Sequence, residues 1–150
     1  KPRYLMGVGS PEDLLECVSR GIDMFDCALP TRVARNGAIF TKEGRVDITN
    51  RRFKEVDGPL EEGCDCYACG LFSAGFLHHL FKSKELLGLR LASIHNLRFV
   101  IRLMEYSRKA IIEGSFDSFK NGFLQDYRPT NEAARMTQKE AWIEARGMRG

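Results

Sequence analysis

Short apolar and polar blocks alternate along about the first 30 residues and predict a strand, a helix and a second strand. An apolar run over residues 3–8 is typical of a buried strand that leads into a glycine-containing turn. Ser10 then offers an N-cap oxygen, Pro11 suits the first helical position, and Gly21 ends the helix. A second apolar run, residues 22–28, contains two aspartates. This order predicts a βαβ unit whose parallel strands lie in a covered sheet.

The middle of the chain predicts a hairpin followed by a helix. Residues 38–41 and 45–49 are strand-like, and they flank a turn in which Gly44 supplies the required backbone freedom. A cysteine-rich segment comes next. Residues 73–82 then carry apolar positions at helical spacing and predict a helix.

The longest periodic stretch, residues 93–113, predicts a long helix, and a shorter one is expected around residues 116–124. The apolar positions on one side of the long helix are Ile94, Leu97, Val100, Ile101, Met104 and Ile111. Beyond Pro129 the sequence is polar and charged, with Trp142 as an exception. We expect an exposed tail there, helical over residues 131–146.

The composition is that of one soluble globular domain. Of the 150 residues, 43% are hydrophobic and 29% are charged, and no apolar run reaches bilayer-spanning length. We therefore expect no membrane partner. The chain begins Lys1-Pro2-Arg3, without a methionine or a signal-peptide pattern, which suggests a fragment or a processed product.

Positive charge is concentrated in residues 31–54. The net charge of the chain is only +3, but this segment holds seven Lys and Arg residues against two acidic ones, an excess of five. Such a cluster attracts phosphates. A solvated surface loop explains the same charges equally well, so charge alone leaves both interpretations open.

A cysteine cluster and a downstream histidine form a candidate metal site. The C-x-C-x-x-C segment supplies Cys64, Cys66 and Cys69, and His95 follows near the start of the predicted long helix. Three thiolates and one imidazole complete a tetrahedron around Zn²⁺, which leaves no position for substrate and so predicts a structural metal. His78 and His79 are alternative fourth ligands, although packing or an interface is the more natural role for both.

The cysteine spacing favours a reducing compartment, which we take to be the cytoplasm. C-x-C pairs are poor disulfide partners, and the total of five cysteines is odd. Cys17 and Cys27 lie in apolar surroundings, and each is expected to be a small buried hydrophobic residue.

Asp26 ends an apolar run, at what should be the carboxyl end of a parallel strand. In (β/α)₈ barrels, catalytic residues project from that end of the strands. The carboxylate is therefore a candidate nucleophile, base or metal ligand. A helix cap, or a salt bridge to Arg32 or Arg35, is the structural alternative.

Several longer motifs together resemble one family. They are Y-L-M-G-V-G (4–9), G-I-D-M-F-D-C (21–27), P-T-R-V-A-R-N-G (30–37), C-D-C-Y-A-C (64–69), L-H-H-L (77–80) and I-H-N-L-R (94–98). In this order they resemble the C-terminal part of a tRNA-guanine transglycosylase, also called queuine tRNA-ribosyltransferase. The resemblance covers residues 1–124, and Asn36 makes it closer to bacterial members.

The resemblance implies an α/β fold, the C-terminal part of a (β/α)₈ TIM-barrel variant with an inserted zinc-binding subdomain. On this basis residues 1–57 form the last βα units with the catalytic strand and an RNA-binding loop. Residues 58–124 form the zinc-binding subdomain and closing helices, and residues 125–150 form an exposed charged tail. One structural Zn²⁺ per chain is implied.

The resemblance also implies an activity: exchange of guanine at wobble position 34 of tRNA for the queuosine precursor preQ1. Asp26 matches the nucleophile, which would form a covalent bond to C1′ of the ribose. The incoming base would then displace it, so that two inversions give net retention. The family's second catalytic aspartate, its general acid/base, belongs to an N-terminal half that this sequence does not contain.

Further site residues follow from the same motifs. Met6 and Gly7 match residues that line the base pocket. The residues that match the RNA-contacting segments around the anticodon loop are Gly7, Val8, Gly9, Ser10, Pro11, Glu12, Asp13, Thr31, Arg32, Val33, Ala34 and Arg35. The guanidinium groups among them suit bidentate contacts to phosphates or bases.

Family members act as dimers, so a homodimer is expected. Phe72, Phe76 and His79 are spaced to share one helix face and are candidates for the contact, with core packing as the alternative. Three other functions stay open: an archaeosine-type transglycosylase, a non-catalytic accessory subunit and a zinc-stabilised tRNA-binding module.

Overall fold

The computed structural model describes residues 1–128 and confirms the βαβ unit. Strand β1 (Tyr4–Met6), helix α1 (Pro11–Ser19) and strand β2 (Met24–Asp26) follow in order. The two strands are parallel, with Tyr4 opposite Met24 and Met6 opposite Asp26. Ser10 caps α1, because its side-chain oxygen accepts a 3.4 Å hydrogen bond from the backbone N–H of Asp13.

The expectation of a covered sheet is wrong for the described residues. Tyr4, Met6 and Met24 are 52%, 72% and 49% exposed, whereas Leu5 and Phe25 are half-buried. Because successive side chains of a strand point to opposite faces, one face of the β1–β2 pair packs inward and the other is open. Parallel sheets are normally covered on both faces.

A helix that the sequence pattern did not predict follows β2. Helix α2 (Leu29–Arg35) has a proline in its first turn and two arginines in its last turn, where their charges suit the helix dipole. Val33 and Ala34 anchor it, since both side chains are buried. Part of the basic segment is therefore an anchored helix and not a loop.

The predicted hairpin is present as β3 (Ala38–Thr41) and β4 (Gly44–Asp47), which pair antiparallel. The second strand ends two residues earlier than the pattern indicates. The Asp47 carboxylate oxygen accepts 2.8 Å hydrogen bonds from the backbone N–H and the hydroxyl of Thr49. Such side-chain bonds replace the strand ladder with a local turn.

The remaining helices include three that the sequence predicted. A short 3₁₀ turn, Arg51–Phe53, is followed by α3 (Tyr67–Leu71), α4 (Ala74–Lys82), α5 (Leu86–Ile112) and α6 (Phe116–Asp126). Helix α4 matches the predicted bounds, and α6 matches the predicted short helix. Helix α5 begins seven residues before the predicted start at 93, and Gly88 lies inside it, where a Cβ would lie 3.0 Å from Cβ of Leu80. Gly88 thus permits close packing of α4 and α5.

The buried side of α5 is not the apolar side that the periodicity marks. Leu97, Ile101 and Ile111 are exposed. The buried positions are Gly88, Leu91, Ala92, His95, Asn96, Phe99, Arg102, Leu103, Ser107 and Ala110. Polar residues occupy this side because their side chains have hydrogen-bond or ion-pair partners there.

Helix α5 contributes residues to two hydrophobic clusters. The larger cluster joins α4 and the cysteine segment to the hairpin and includes Ile39, Ile48, Leu77 and Leu91. The smaller one contains Val33, Phe40, Phe99 and Tyr127. At the start of the predicted exposed tail, Tyr127 is buried, whereas Gln125, Asp126 and Arg128 are exposed. The predicted helix over residues 131–146, with Trp142, lies outside the described residues. Among the described residues, no helix is long and apolar enough to span a membrane.

Candidate functional site

Asp26 lies at the end of β2, as predicted, and its carboxylate is held by a neighbouring tyrosine. The Tyr4 hydroxyl donates a 2.6 Å hydrogen bond to Oδ1 of Asp26. On the backbone, the Asp26 carbonyl accepts a 2.9 Å bond from Gly7, which closes the loop after β1 onto β2. The hydrogen bond to Asp26 raises the pKa of Tyr4, so this tyrosine remains a neutral donor beyond its ordinary range.

The structural alternatives for Asp26 are not observed in the described chain. Ala28 is the N-cap residue of α2, and no side chain caps that helix. Within residues 1–128, Asp26 forms no salt bridge with Arg32 or Arg35. The carboxylate is exposed, with Tyr4 as its side-chain partner.

Sequence reasoning missed Tyr4. The signal was available, because in a parallel pair Tyr4 opposes Met24, two residues before Asp26 and on the same face of the strand. The phenol of Tyr4 can therefore reach the Asp26 carboxylate diagonally across the two strands.

The two predicted RNA-contacting segments meet at one cleft. Residues 7–13 and Arg32 line a cavity of about 410 Å³, to which Arg45 and Tyr127 also contribute. Arg45 is a cation that the resemblance did not single out. The Glu12 Oε2 atom is buried there without a hydrogen-bond partner among the described residues. Burial, together with the charge of Asp13, raises the pKa of Glu12.

A second cleft, of about 490 Å³, adjoins the first and includes Asp26. The two clefts share Val8, Gly9 and Cys27. Gly9 allows this arrangement, because a Cβ at that position would lie 2.5 Å from Cβ of Cys27. Cys27 and Cys17 are both half-buried, whereas each was expected to be a small buried hydrophobic residue.

The remaining predicted residues differ in accessibility. Arg32 and Arg35 are exposed on α2, and Met6 is exposed at the end of β1. Thr31 uses its hydroxyl to donate to the Ala28 carbonyl at 3.1 Å. Pro11, Val33 and Ala34 are buried, so their side chains support the backbone of these segments.

The cysteine segment and α5 bring four ligand atoms together. The sulfur atoms of Cys64, Cys66 and Cys69 and Nδ1 of His95 all lie within 4.8 Å of one another. Nδ1 is 3.7, 3.6 and 3.3 Å from the three sulfurs in turn. Bonds of about 2.3 Å to sulfur and about 2.0 Å to nitrogen give a tetrahedron edge of roughly 3.5 Å, so the group fits a tetrahedral ion.

Hydrogen bonds also tune the cluster electrostatically. Bonds with the Cys66 and Cys69 thiols lower the pKa of Cys64, whereas bonds with Cys64 and Cys66 raise the pKa of Cys69. Burial opposes protonation of His95, but its bonds with Cys64 and Cys66 prevail and raise the pKa of the imidazole to about 10. A divalent cation would replace the protons that this cluster shares.

His95 lies well inside α5 and not near its start, because α5 begins earlier than predicted. Its Nε2 is 2.8 Å from the Phe40 carbonyl oxygen, so Nε2 donates and Nδ1 is free to bind a metal. The alternative ligands lie elsewhere. His78 is buried and bonds through Nδ1 to the Ile48 carbonyl at 2.8 Å, and His79 is exposed.

Two arginines of α5 anchor the cysteine segment. Arg98 makes a bidentate contact with Asp65, which lies between two of the cysteines, at 2.8 and 2.7 Å. Arg102 forms a buried 2.8 Å ion pair with Glu61 and also donates to the Gly63 carbonyl at 3.0 Å. The other Glu61 oxygen accepts from the Lys42 backbone N–H at 2.6 Å, which ties in the β3–β4 turn.

The aromatic residues near the cysteine segment form a stacked surface group. Phe72 and Phe76 stack with ring centroids 5.4 Å apart, and Tyr67 packs against Phe72 edge-on at 5.9 Å. The prediction that Phe72, Phe76 and His79 share one face of a single helix is wrong. Phe72 is the C-cap residue of α3, whereas Phe76 and His79 belong to α4. Phe76 and His79 are exposed.

Comparison with known proteins identifies the family. The family model described as queuine tRNA-ribosyltransferase matches residues 1–129. The queuine tRNA-ribosyltransferase of Dehalococcoides mccartyi strain 195 is 55% identical over 146 residues, which are 97% of this chain and 37% of that relative. The protein of the same name from Herpetosiphon aurantiacus is 54% identical over 141 residues, 94% of this chain and 36% of the relative.

A third relative with this name, from Francisella tularensis subsp. tularensis, is 56% identical over 128 residues, 85% of this chain and 35% of its own length. The chain thus spans a little over a third of the length of the curated relatives it matches. Since the family model covers most of the sequence and identity exceeds half along that match, the chain belongs to the queuine tRNA-ribosyltransferase family.

Proposed function

We propose that the complete protein in which this sequence occurs is a tRNA-guanine transglycosylase that exchanges guanine at position 34 for preQ1. The observation that carries the proposal is the Asp26 carboxylate, exposed at the carboxyl end of a parallel strand and oriented by Tyr4. Family membership supports the same reaction class.

In the proposed mechanism Asp26 is the nucleophile. One carboxylate oxygen attacks C1′ of the target ribose as the bond to guanine breaks, and the guanine leaves with that bonding pair. The incoming base then displaces the aspartate, so the ribose keeps its configuration. The Tyr4 hydrogen bond occupies Oδ1, which leaves Oδ2 as the attacking atom. The general acid/base is expected in the part of the barrel outside this chain.

The adjacent polar cleft is the proposed path of the anticodon loop. Residues 7–13 and Arg32 line this cleft. We assign Arg32, together with Arg35 of the same helix, to contacts with phosphates or bases flanking the target. Single-stranded loops are the usual target of RNA readers, and the target base must leave its stack to reach Asp26. We assign Arg45, which lines the same cleft, to the RNA surface, and Met6 and Gly7 to the base pocket.

The tetrahedral group is proposed to hold one structural Zn²⁺. All four ligands come from the protein, so the ion has no position for substrate, and it fixes the cysteine segment to α5. The aromatic group of exposed Tyr67 and Phe76 with half-buried Phe72 is proposed to contribute to a homodimer contact. The open face of the β1–β2 pair supports the barrel proposal, since further strands and helices would cover it.

The decisive experiment measures exchange of labelled guanine into tRNA by the complete protein and by its Asp26→Asn variant. Asp23→Asn is the matched control, because Asp23 is also exposed but lies before β2, where it accepts a 2.7 Å bond from the Arg3 backbone. Exchange by the wild type and by the control, but not by Asp26→Asn, supports the proposal. No exchange by a zinc-loaded, tRNA-binding wild type would favour an accessory or RNA-binding role.

A further inference from the structure

Asn96 is fully buried and uses its side-chain amide to join three parts of the fold. Oδ1 accepts a 2.9 Å hydrogen bond from the Phe40 backbone N–H. Nδ2 donates to the Ala38 carbonyl at 2.9 Å and to the Pro30 carbonyl at 3.1 Å. These partners fix the orientation of the amide, because an N–H requires an acceptor and the two carbonyls require donors.

Asn96 and His95 together complete the edge of β3. The Phe40 N–H binds Asn96, and the Phe40 carbonyl binds Nε2 of His95. A strand edge without such partners would leave buried backbone groups unsatisfied. Two consecutive residues of α5 therefore act as the missing neighbour of β3 on the side away from β4.

Of His95 and Asn96, it is Asn96 whose side chain also bonds to α2. Pro30 belongs to the first turn of α2, which begins three residues after Asp26 and carries Arg32 and Arg35. The Nδ2 group of Asn96 donates to the Pro30 carbonyl, so this bond ties the first turn of α2 to α5. Asp26 has its own supports, the β1–β2 pairing and Tyr4.

We infer that Asn96 is a positioning residue for RNA binding: it holds α2 so that Arg32 and Arg35 face the tRNA beside Asp26. The inference rests on the proposed transglycosylase function. Loss of the Asn96 side chain should therefore weaken tRNA recognition and not the chemical step. The side chain bonds to α2, which carries Arg32 and Arg35, and not to the Asp26 carboxylate.

The test is a double-mutant cycle in the complete, zinc-loaded protein. Asn96→Ala should raise KM for tRNA about 10-fold and change kcat less than about 3-fold, with zinc content unchanged. In an Arg32→Ala, Arg35→Ala background the same change should raise KM less than about 2-fold, because the groups that Asn96 positions are already gone. Ser107→Ala is the matched control, since Ser107 is buried on the same side of α5 but bonds to Leu103 of its own helix.

Several outcomes would overturn the inference. They are a loss of kcat at unchanged KM, a full effect in the arginine-free background, loss of zinc, or the same effect from Ser107→Ala. If Asn96→Ala does not fold, Asn96→Leu takes its place, because leucine fills the space of the amide. If neither variant folds, Asn96 has a general folding role and the inference is wrong. A wild type without guanine exchange would refute the proposed function itself, whereas normal exchange with an inert Asn96→Ala would refute this inference alone.

Discussion

The hydroxyl of Tyr4 and the carboxylate of Asp26 are joined by a 2.6 Å hydrogen bond between neighbouring parallel strands. The two residues are 22 positions apart, and the pairing of β1 with β2 brings them together. A charge-assisted hydrogen bond of this kind fixes the orientation of the carboxylate. It uses Oδ1 of Asp26, so the other oxygen, Oδ2, is not engaged by Tyr4.

Replacing Tyr4 by Phe should therefore reduce catalysis while sparing RNA binding. Loss of one hydrogen bond to a charged group corresponds to a decrease of about 10-fold in kcat. Guanine exchange gives kcat, and fluorescence anisotropy with labelled tRNA gives affinity. Unchanged kcat would show that the phenol does not support the nucleophile.

The same bond has a consequence for the pH profile. Because the bond to Asp26 raises the pKa of Tyr4, the phenol keeps its proton above its ordinary value of about 10. Exchange by the wild type should thus show no loss attributable to Tyr4 up to about pH 10. A decline that begins below pH 10 in the wild type but not in Tyr4→Phe would contradict this expectation.

The metal group should be required for stability and not for the chemical step. Cys66→Ser or chelation should remove the proposed zinc and lower the unfolding temperature by about 10 °C or more, since structural zinc contributes on the order of 10 kcal/mol. Metal analysis and thermal unfolding followed by circular dichroism measure both effects. Cys17→Ser is the control, because Cys17 lies outside the ligand group and should retain metal and stability.

Local signals explain why much of the fold was predictable. Ser10, Pro11 and Gly21 mark the ends of α1, and Gly44 marks the hairpin turn, because each has a backbone or capping property that acts within a few residues. The four residues that come together as a possible metal site were also predictable, since three thiols and an imidazole are the side chains that such a site requires. The capping and turn signals act locally, whereas the metal group also needs α5 to bring His95 to the cysteines.

The features that sequence reasoning missed depend on contacts between distant segments. Tyr4 reaches Asp26 through strand pairing, and Asn96 reaches Pro30 across 66 positions. The buried side of α5 was misjudged because Asn96 and Arg102 count as polar in a hydrophobic pattern, although their partners make burial favourable. Helix α2 was missed because its short pattern is stabilised by packing of Val33 and Ala34.

Glu12 provides a prediction with a defined pH dependence. Its folded-state pKa is raised, first by burial, so the folded chain holds the Glu12 proton more tightly than the unfolded chain. Stability should fall as pH rises from the unfolded pKa, near 4.5, through the raised folded value. Glu12→Gln removes the charge, so it should flatten this dependence and raise stability at neutral pH, as measured by urea unfolding between pH 4 and 8.

The ion pair of Arg102 and Glu61 should show the asymmetry expected of buried charges. Both side chains are almost fully buried, at 9% and 6% exposure, and Glu61 also accepts the Lys42 N–H. Arg102→Met alone leaves a buried carboxylate without its cation, and should cost about 3 kcal/mol in the free energy of unfolding.

Adding Glu61→Gln should recover most of that loss, because the neutral amide still accepts from Lys42 and no buried charge remains. Urea unfolding of the two single variants and the double variant measures the coupling. Equal losses in Arg102→Met and in the double variant would mean that Arg102 stabilises the fold through its bond to Gly63 and its packing. Recovery would identify the uncompensated Glu61 charge as the cause, and would show that α5 and the cysteine segment tolerate a neutral contact in place of the ion pair.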